Sequence, residues 1–200
     1  MAQPQLKLTY FDIKSRAELP RMLFHYGDVA FVDERVQFPD FPALKPTLPL
    51  GQLPILEVDG VVYAQSTAIA HYAAKLAGLY PNDPVDALKL DMFSCSLNDL
   101  DDPFVEFMFK TPDEAEKAQK MKVFIEETVP KTFRALENLI EGKFSLGDKI
   151  SYADVQLLDV VENKLQWIFP TFTLDAFPKL AEVLSNVKAE PKIADYLAKP

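Results

Sequence analysis

Three polar residues lie at predicted ends of strands or helices and could carry chemistry. Ser66 begins a predicted helix, and a helix N-terminus offers free amides and positive potential to an anion, although a plain N-cap serine also fits this position. Arg16 lies just inside another helix start, where a cation opposes the helix dipole, so it either meets an anion or is a solvated surface arginine. Tyr10 ends the first strand, where its hydroxyl is either satisfied in the core or donates to a sulfur.

A predicted β-hairpin positions Ser66. The run Ile55–Val58 favours extended backbone, Asp59-Gly60 is a strong two-residue turn signal, and the apolar residues after it form the return strand. Pro54 starts the first strand, where it cannot donate a ladder hydrogen bond. Spacing alone favours an edge-strand or loop proline. The alternative is a cis proline that exposes the backbone of Leu53 to an extended ligand.

The segments around the hairpin predict a thioredoxin-like α/β domain. Leu6–Phe11 has the pattern of a buried strand, Ser15–Glu18 that of a capping box at a helix start, and Phe31–Val36 that of a second strand. This β-α-β opening implies parallel strands joined by a right-handed crossover. The domain lacks the Cys-x-x-Cys motif of redox thioredoxins, so a reactive thiol must come from elsewhere.

The chain is long enough for a real core, in one large domain or in two small ones. It has 200 residues, of which 48% are hydrophobic and 26% are charged, as in an ordinary globular protein. Pro81–Pro84 is the best candidate for a domain boundary, because everything after it has helical spacing. The sequence therefore predicts a first domain over residues 1–80 and an all-helical domain over residues 84–200.

Several helix boundaries are predicted within the second domain. Val85–Phe109 has the spacing of one long helix, with a kink at Pro103. Thr111 is the predicted N-cap of the next helix, because proline and acidic residues follow it. Ser151–Asp154 is a second capping box, and the apolar residues after it predict a central helix.

Composition argues against several classes of partner. The net charge of −9 argues against nucleic acid, because a phosphate backbone requires a basic surface. The single cysteine, Cys95, excludes an internal disulfide and a cysteine-cluster metal site, and its apolar surroundings predict a buried, inert thiol. The polar, proline-containing opening Met1–Gln5 does not have the pattern of a signal peptide, and no apolar run approaches the ~20 residues that span a bilayer. A cytoplasmic protein without a membrane partner is expected.

Several short segments in order resemble the cytosolic glutathione transferases. Gln52–Leu56, the Asp59-Gly60 turn and Gln65-Ser66 resemble the glutathione-binding half of that family. Other segments are similar to the sigma class, which includes the glutathione-dependent prostaglandin D synthases: Lys7–Phe11, Arg16–Glu18 and Thr47–Pro49. The resemblance is strongest over residues 6–77, and it implies the glutathione transferase fold, a thioredoxin-like α/β domain followed by an all-α domain.

The resemblance implies a role for each residue that matches the family motif. Tyr10 is expected to donate to the glutathione thiol and favour the thiolate, and Arg16 to help hold the thiolate region. Gln65 and Ser66 are expected to hold the γ-glutamyl carboxylate, with the peptide lying along Leu53-Pro54.

Three further residues of this half are expected to contact glutathione. Lys45 and Gln52 resemble the residues that meet the glycyl carboxylate, although some relatives carry a lysine where Gln52 stands. Phe41 occupies the position of a tryptophan in the sigma pattern, and a phenylalanine cannot supply the indole N–H donor. The aromatic wall is retained and one ligand hydrogen bond is in doubt.

The densest acidic run is Asn98–Asp102, which is either a solvated helix face or a set of acids that await a partner across an interface. The resemblance implies that Asp101 or Asp102 reaches the glutathione amino group in the other subunit of a homodimer. Prostaglandin D synthases also hold a divalent cation among these acids. Because Asn98 replaces the first acid of their triplet, no metal is expected here.

An apolar pocket for the electrophile is predicted beside the thiol, and ordinary core is nearly as good an interpretation of the same residues. Prostaglandin D synthases have a tryptophan where Phe109 falls, so this chain need not share their substrate. The predicted pocket residues are Phe11, Phe104, Met108 and Phe109.

The resemblance implies a glutathione transferase, whose thiolate attacks small, mostly apolar electrophiles in detoxification. A glutathione-dependent isomerase of a prostaglandin-like endoperoxide is the close alternative. A non-enzymatic crystallin or scaffold of the same fold is the alternative from another class, and the intact set of Tyr10, Arg16 and Gln65-Ser66 disfavours it. Glutathione as co-substrate, hydrophobic electrophiles and a second copy of the chain are the expected partners.

Overall fold

The computed structural model describes residues 4–199. The chain divides into two compact units, one formed by Met1–Pro81 with Glu190–Pro200 and the other by Asn82–Ala189. The division after Pro81 lies at the proline-rich segment that the sequence singled out. No helix among the described residues combines the length and the apolar character needed to cross a membrane.

The first unit is built on a four-stranded sheet with the strand order β2-β1-β3-β4. β1 pairs parallel with β2 and antiparallel with β3, and β3 pairs antiparallel with β4. The thioredoxin-like pattern predicted from the sequence is therefore confirmed. The strands are β1 (Leu6–Phe11), β2 (Val32–Val36), β3 (Ile55–Val58) and β4 (Val61–Ala64).

The hairpin between β3 and β4 turns at the predicted residues. Asp59 and Gly60 have φ angles of 47° and 84°, as a two-residue type I′ turn requires. The backbone N–H of Gln5 donates to Asp59 Oδ1 at 2.9 Å, which ties the turn to the start of β1. The Leu53–Pro54 peptide bond directly before β3 is cis, which is the backbone geometry of the second interpretation of Pro54.

Helices α1 (Ser15–Tyr26), α2 (Phe41–Leu44) and α3 (Ser66–Leu76) complete this part of the first unit. Gly27 ends α1 as predicted. A Cβ atom at Gly27 would lie 2.7 Å from the Cα atom of Ala77, so the close approach of the two helix ends requires a glycine. The core under α1 and α3 is formed by apolar side chains that include Leu8, Met22, Leu23, Leu56 and Ile69.

The predicted capping box at Ser15 is wrong. Lys14 occupies the N-cap position of α1 without a side-chain capping bond, and Ser15 has a φ of 40°. Glu18 does not reach back to the helix start, because its carboxylate is buried and accepts hydrogen bonds from Arg21 and Tyr196 instead. The residue pattern of a capping box is present, but these hydrogen bonds hold the Glu18 carboxylate away from the helix start.

The second unit is helical. π-helical turns over residues 106–110, 124–128 and 159–165 continue three of its helices. The helices are α4 (Pro84–Asn98), α5 (Asp101–Val105), α6 (Glu114–Val123), α7 (Val129–Glu137), α8 (Tyr152–Leu158), α9 (Gln166–Ile168) and α10 (Pro178–Ala189).

Two helix boundaries of the second unit differ from the prediction. The predicted continuous helix Val85–Phe109 is broken between Asn98 and Asp101. The break lies four residues before Pro103, whose ring would clash with the carbonyl of residue 99 in an unbroken helix. Thr111 is not an N-cap, since its hydroxyl donates to the Glu106 carbonyl. Asp113 caps α6, and its carboxylate accepts from the Glu116 N–H at 2.8 Å.

The last helix, α11 (Pro191–Leu197), belongs to the first unit, whereas the sequence placed residues 84–200 in one helical domain. Ile193 is buried, and Lys192 Nζ donates to the backbone oxygen of Tyr26 at the end of α1 at 2.8 Å. These contacts with α1 join the end of the chain to its beginning. No local pattern in the sequence predicts that α11 packs on α1.

The capping box ahead of α8 is confirmed. Asp154 is fully buried, and its Oδ2 accepts from the Ser151 N–H at 2.8 Å and from Ser151 Oγ at 2.6 Å. Its Oδ1 accepts from the buried Ser145 N–H at 2.8 Å. One carboxylate therefore satisfies the start of a helix and the loop before it.

We expect Asp154→Ala to lower the free energy of unfolding by about 2–4 kcal/mol, because it leaves two buried backbone N–H groups without an acceptor. Denaturant unfolding of the whole chain measures this. Asp148→Ala is the control, since Asp148 is exposed in the same loop and should change stability by about 0.5 kcal/mol or less. Equal losses in both variants would contradict the assignment.

Candidate active site

Three of the predicted site residues lie in one row across neighbouring strands. In the sheet register Thr9 pairs with Ile55, and Ile55 pairs with Ala64. Because β3 runs antiparallel to both neighbours, the residue after Thr9, the residue before Ile55 and the residue after Ala64 meet at the same end of the sheet. These residues, called here the strand-end row, are Tyr10, Pro54 and Gln65.

Gln65 turns the chain from β4 into α3. Its φ of 81° and ψ of 109° are unusual for a residue with a side chain, and such strained residues cluster at functional sites. Gln65 is the N-cap, so Ser66 is the first helical residue and not the N-cap that the sequence predicted. The first backward helical bond runs from Ile69 N–H to the Gln65 oxygen, which leaves the amides of residues 66–68 without an acceptor in the helix.

Tyr10 is buried at the end of β1, and the structure gives its hydroxyl no partner among residues 4–199. Its ring packs edge-on against Phe11 with 5.4 Å between the ring centroids. Phe11 in turn stacks on Phe38 at 4.5 Å and meets Phe41 edge-on at 5.2 Å. Phe11 and Phe41 are thus brought beside Tyr10, and the hydroxyl remains available to a ligand.

Two cations near this end of the first unit have no ion-pair partner among the described residues. Arg16 is exposed in the first turn of α1. Lys45 is exposed, and a Cβ atom built on Gly51 would lie 3.5 Å from its Cε. Lys45 therefore lies over the residue before Gln52, which is exposed as well. In a chain with a net charge of −9, two unpaired cations and a free helix N-terminus favour an extended, anionic ligand.

Leu53 lies between Gln52 and the strand-end row. It precedes β3 and stands outside the ladder that β3 forms with its neighbours, so its backbone polar groups are not used in the sheet. Its side chain is buried. The buried side chain fixes Leu53 in place, and its unused backbone groups can form hydrogen bonds with an extended peptide ligand.

The acidic residues of the second unit differ from one another. Asp101 forms an ion pair with Lys164 within the same chain. Asp102 is exposed, and the structure shows no ion pair for it among residues 4–199. Asn98 accepts a hydrogen bond from Gln156 Nε2 at 2.8 Å. Within the described part of the chain, no group of three histidine, cysteine, aspartate or glutamate side chains could hold a metal ion.

The residues predicted to line an electrophile pocket have different environments. Phe104 is buried and packs edge-on against Phe107 at 5.5 Å, so it is part of the core of the second unit. Met108 is half-buried, whereas Phe109 is 69% exposed. Phe11 lies in the aromatic cluster beside Tyr10 in the first unit. Phe104 thus lacks the exposed surface expected of a ligand-contacting residue, whereas Phe11, Met108 and Phe109 retain it.

Cys95 is exposed, so the prediction of a buried thiol is wrong. Its neighbours Phe93 and Leu97 are buried. Two residues along a helix correspond to a rotation of about 200°, which turns Cys95 to the opposite face. The apolar flanking residues therefore did not predict the exposure of Cys95, which depends on its position around the helix.

Sequence reasoning missed two residues near the site. Phe38 stacks on Phe11, and the only signal for it was one more aromatic residue in the proline-rich loop. Arg21 is 2% exposed within α1, where residues 17–24 are all buried. Helical spacing gave no signal for its burial, because residue 21 lies about 200° around the helix from Leu19. Its partners on other elements are described below.

Two family models match the chain. The model described as glutathione S-transferase, N-terminal domain, matches residues 6–75, and the one described as glutathione S-transferase, C-terminal domain, matches residues 98–200. The first match includes the strand-end row, and the second includes the acidic residues of α5.

Known proteins are similar over nearly the whole chain. The hematopoietic prostaglandin D synthase of Gallus gallus is 32% identical over 98% of this chain and 96% of its own length. Glutathione S-transferase 1 of Ascaris suum is 34% identical over 98% of this chain and 96% of its own length. The solved structure of prostaglandin synthase D of Nilaparvata lugens matches with a TM-score of 0.90 and 32% identity, covering 98% of this chain and 99% of that one.

Proposed function

Since this chain belongs to the glutathione S-transferase family, we propose that glutathione binds along the strand-end row of Tyr10, Pro54 and Gln65. Relatives that match nearly the whole chain are glutathione S-transferases, so the protein is an enzyme that uses glutathione as its co-substrate. The observation that carries the proposal is the register of β3, because it gathers the three residues that match the family motif at one end of the sheet.

The two carboxylates of glutathione are held at separate points. The γ-glutamyl carboxylate accepts hydrogen bonds from the free amides at the start of α3 and from the Ser66 hydroxyl, where the helix dipole also favours an anion. The glycyl carboxylate meets Lys45 and Gln52. Between them the backbone of Leu53 pairs with the extended peptide. Phe41 supplies an apolar wall without a hydrogen bond.

Tyr10 donates to the sulfur of bound glutathione, and the nearby Arg16 adds positive potential. A free thiol has a pKa of ~8.5, so only a few per cent is ionised near neutral pH. Lowering this pKa by about two units would ionise most of the thiol, a gain of about 25-fold in thiolate. About one decade of the gain is lost because nucleophilicity falls with pKa at a Brønsted slope of ~0.4–0.5. The remaining benefit comes from ionisation near neutrality and from orientation of the sulfur.

The electrophile is a small, mostly apolar molecule, as expected of a detoxifying enzyme. The half-buried ring of Phe11 and the exposed ring of Phe38 stacked on it are apolar surfaces that favour such a substrate. A conjugation assay with a generic aromatic electrophile, run with and without glutathione, tests the activity. Absence of turnover in the presence of glutathione would contradict it.

An isomerase acting on a prostaglandin-like endoperoxide is the second candidate. It is favoured by the relatives of this sigma-like group that bear the name prostaglandin D synthase, one of which has a structure that matches with a TM-score of 0.90. The same glutathione thiolate would serve both reactions. Turnover of an endoperoxide at a rate above that of conjugation would favour the isomerase.

A homodimer in the cytoplasm is the proposed form of the enzyme. Three apolar residues on one face of α4 are exposed at helical spacing: Val85, Leu88 and Met92. Such a stripe supports an interface with a second copy of the chain. Asp102, rather than Asp101, is the carboxylate available to the glutathione of the partner, because Asp101 is paired with Lys164. The likeness to cytosolic transferases supports the location.

The dimer is tested by Leu88→Glu, which places a charge on an apolar residue that is 70% exposed in the isolated chain. We expect the unmodified protein to sediment as a dimer and the variant as a monomer of lower activity, because a buried unpaired charge opposes association. Val32→Glu on β2, exposed to a similar degree, should leave the dimer intact. A stable and fully active monomer of the unmodified protein would contradict the proposal.

Ser66→Ala should weaken glutathione binding by roughly 10- to 100-fold, since a hydrogen bond to a charged group contributes about 1.5–3 kcal/mol. Unfolding free energy should change little, because Ser66 is the first helical residue and not the N-cap, so its side chain is not the one that caps α3. Isothermal titration calorimetry measures the affinity. Thr67→Ala, one residue further along α3, is the matched control, and equal affinities in the two variants would remove Ser66 from the site.

Tyr10→Phe should lose most conjugation activity below about pH 7 and recover towards the unmodified enzyme near pH 9, because alkali ionises the thiol without help. The measurement is the pH dependence of kcat/KM, and glutathione affinity should barely change. A loss of equal size at every pH would mean that Tyr10 orients the sulfur instead of ionising it. Full activity at every pH would assign the thiol to another residue, with Arg16 the first to test.

A further inference from the structure

A buried polar network lies beneath the loop between β1 and α1, beyond the residues that contact glutathione. Its centre is Arg21, which is 2% exposed. Arg21 Nη1 donates to the carbonyl oxygen of Ile13 at 2.8 Å and more weakly to that of Lys14 at 3.4 Å. Its Nε donates to Asp33 Oδ1 on β2 at 3.1 Å. One buried side chain thus ties the loop to the sheet.

This loop determines the direction in which α1 begins. Ser15 has a φ of 40°, a strained conformation that persists only where the surroundings enforce it. The two carbonyl groups that Arg21 binds belong to the residues immediately before Ser15. Arg16 follows directly, so the same hydrogen bonds that hold the strained turn also set where the Arg16 side chain starts.

Glu18 connects this network to the end of the chain. It is 4% exposed, and its Oε2 lies 3.3 Å from Arg21 Nη1. Its Oε1 accepts a hydrogen bond of 2.9 Å from the hydroxyl of Tyr196 on α11. Burial, and after it the charge of Glu18, raises the pKa of Tyr196, so the hydroxyl keeps its proton and stays a donor. A buried carboxylate that loses one of its two partners is left with an incompletely compensated charge, which destabilises the arrangement around it.

Helix α11 is held on α1 by contacts that do not involve the Tyr196 hydroxyl. Ile193 is fully buried, and Lys192 Nζ binds the backbone oxygen of Tyr26 at 2.8 Å. His25 Nε2 lies 3.0 Å from the Asp195 carboxylate. Removal of the hydroxyl alone therefore leaves the helix docked and disturbs only the network.

We propose that Tyr196 is a positioning residue for the transferase reaction: through Glu18 and Arg21 it holds the β1–α1 loop and thereby places Arg16 beside the thiolate. The inference rests on the proposed function, because it assigns Arg16 a place in that site. The C-terminal helix contributes to the reaction without touching either substrate.

The test compares Tyr196→Phe with Tyr26→Phe, which removes a hydroxyl from the other end of α1 outside the network. We expect Tyr196→Phe to lower kcat about tenfold, since a small misplacement of a catalytic group has effects of this size or larger. The KM for glutathione should stay within about twofold, because its carboxylates are bound on other elements. Tyr26→Phe should leave both constants unchanged, and thermal unfolding should show both variants folded.

A double-mutant cycle with Arg16→Gln decides whether the effect passes through Arg16. Tyr196→Phe should add almost no loss of kcat in the Arg16→Gln background. An undiminished loss there, or a kcat for Tyr196→Phe equal to that of the Tyr26→Phe control, would overturn the inference while the proposed function stands. If the unmodified protein neither binds nor turns over glutathione, the proposed function fails and the inference fails with it.

Discussion

The pairing of β3 with both of its neighbours is the constraint on which the candidate site depends. Leu8 on β1 faces Leu56 on β3, and both side chains are buried in the core of the first unit. A slip of one residue would turn every side chain of β3 to the opposite face of the sheet, so the apolar core specifies the register. The same register brings Tyr10, Pro54 and Gln65 to one end of the sheet. Core packing and ligand geometry are thus set by one arrangement.

The candidate site carries positive groups, whereas the molecule as a whole is negatively charged. The chain carries a net charge of −9, yet Arg16, Lys45 and the start of α3 are without acidic partners among the described residues. Other cations lie beside acids, as Lys164 does beside Asp101 and Lys120 beside Glu106. Because Arg16, Lys45 and the start of α3 have no acidic partner in the described part of the chain, they supply positive potential where an anionic peptide would lie, while the negative net charge discourages polyanions.

Two buried carboxylates show how differently polar groups can be used inside this fold. Asp154 binds groups three and nine residues away, so it stabilises a helix start and the loop beside it. Glu18 binds Arg21 nearby and Tyr196 at the other end of the chain, so it links local structure to the last helix. Both carboxylates can be buried because each accepts hydrogen bonds from several donors. The hydrogen bonds of Glu18 therefore couple the N-terminus of α1 to α11, which a local cap such as that of Asp154 cannot do.

The sequence by itself determined the elements whose causes are local. The Asp59-Gly60 turn, the glycine at the end of α1 and the Ser151–Asp154 capping box depend on residues within a few positions of one another, and the family motif in the first 80 residues pointed to glutathione. Tertiary structure decided the partner of Asp101, the exposure of Cys95 and the membership of α11 in the first unit. Hydrogen bonds from Arg21 and Tyr196 also prevent Glu18 from completing a capping box whose residue pattern was present. Local propensity is weak, and a distant buried partner changes the free energy by more than a cap does.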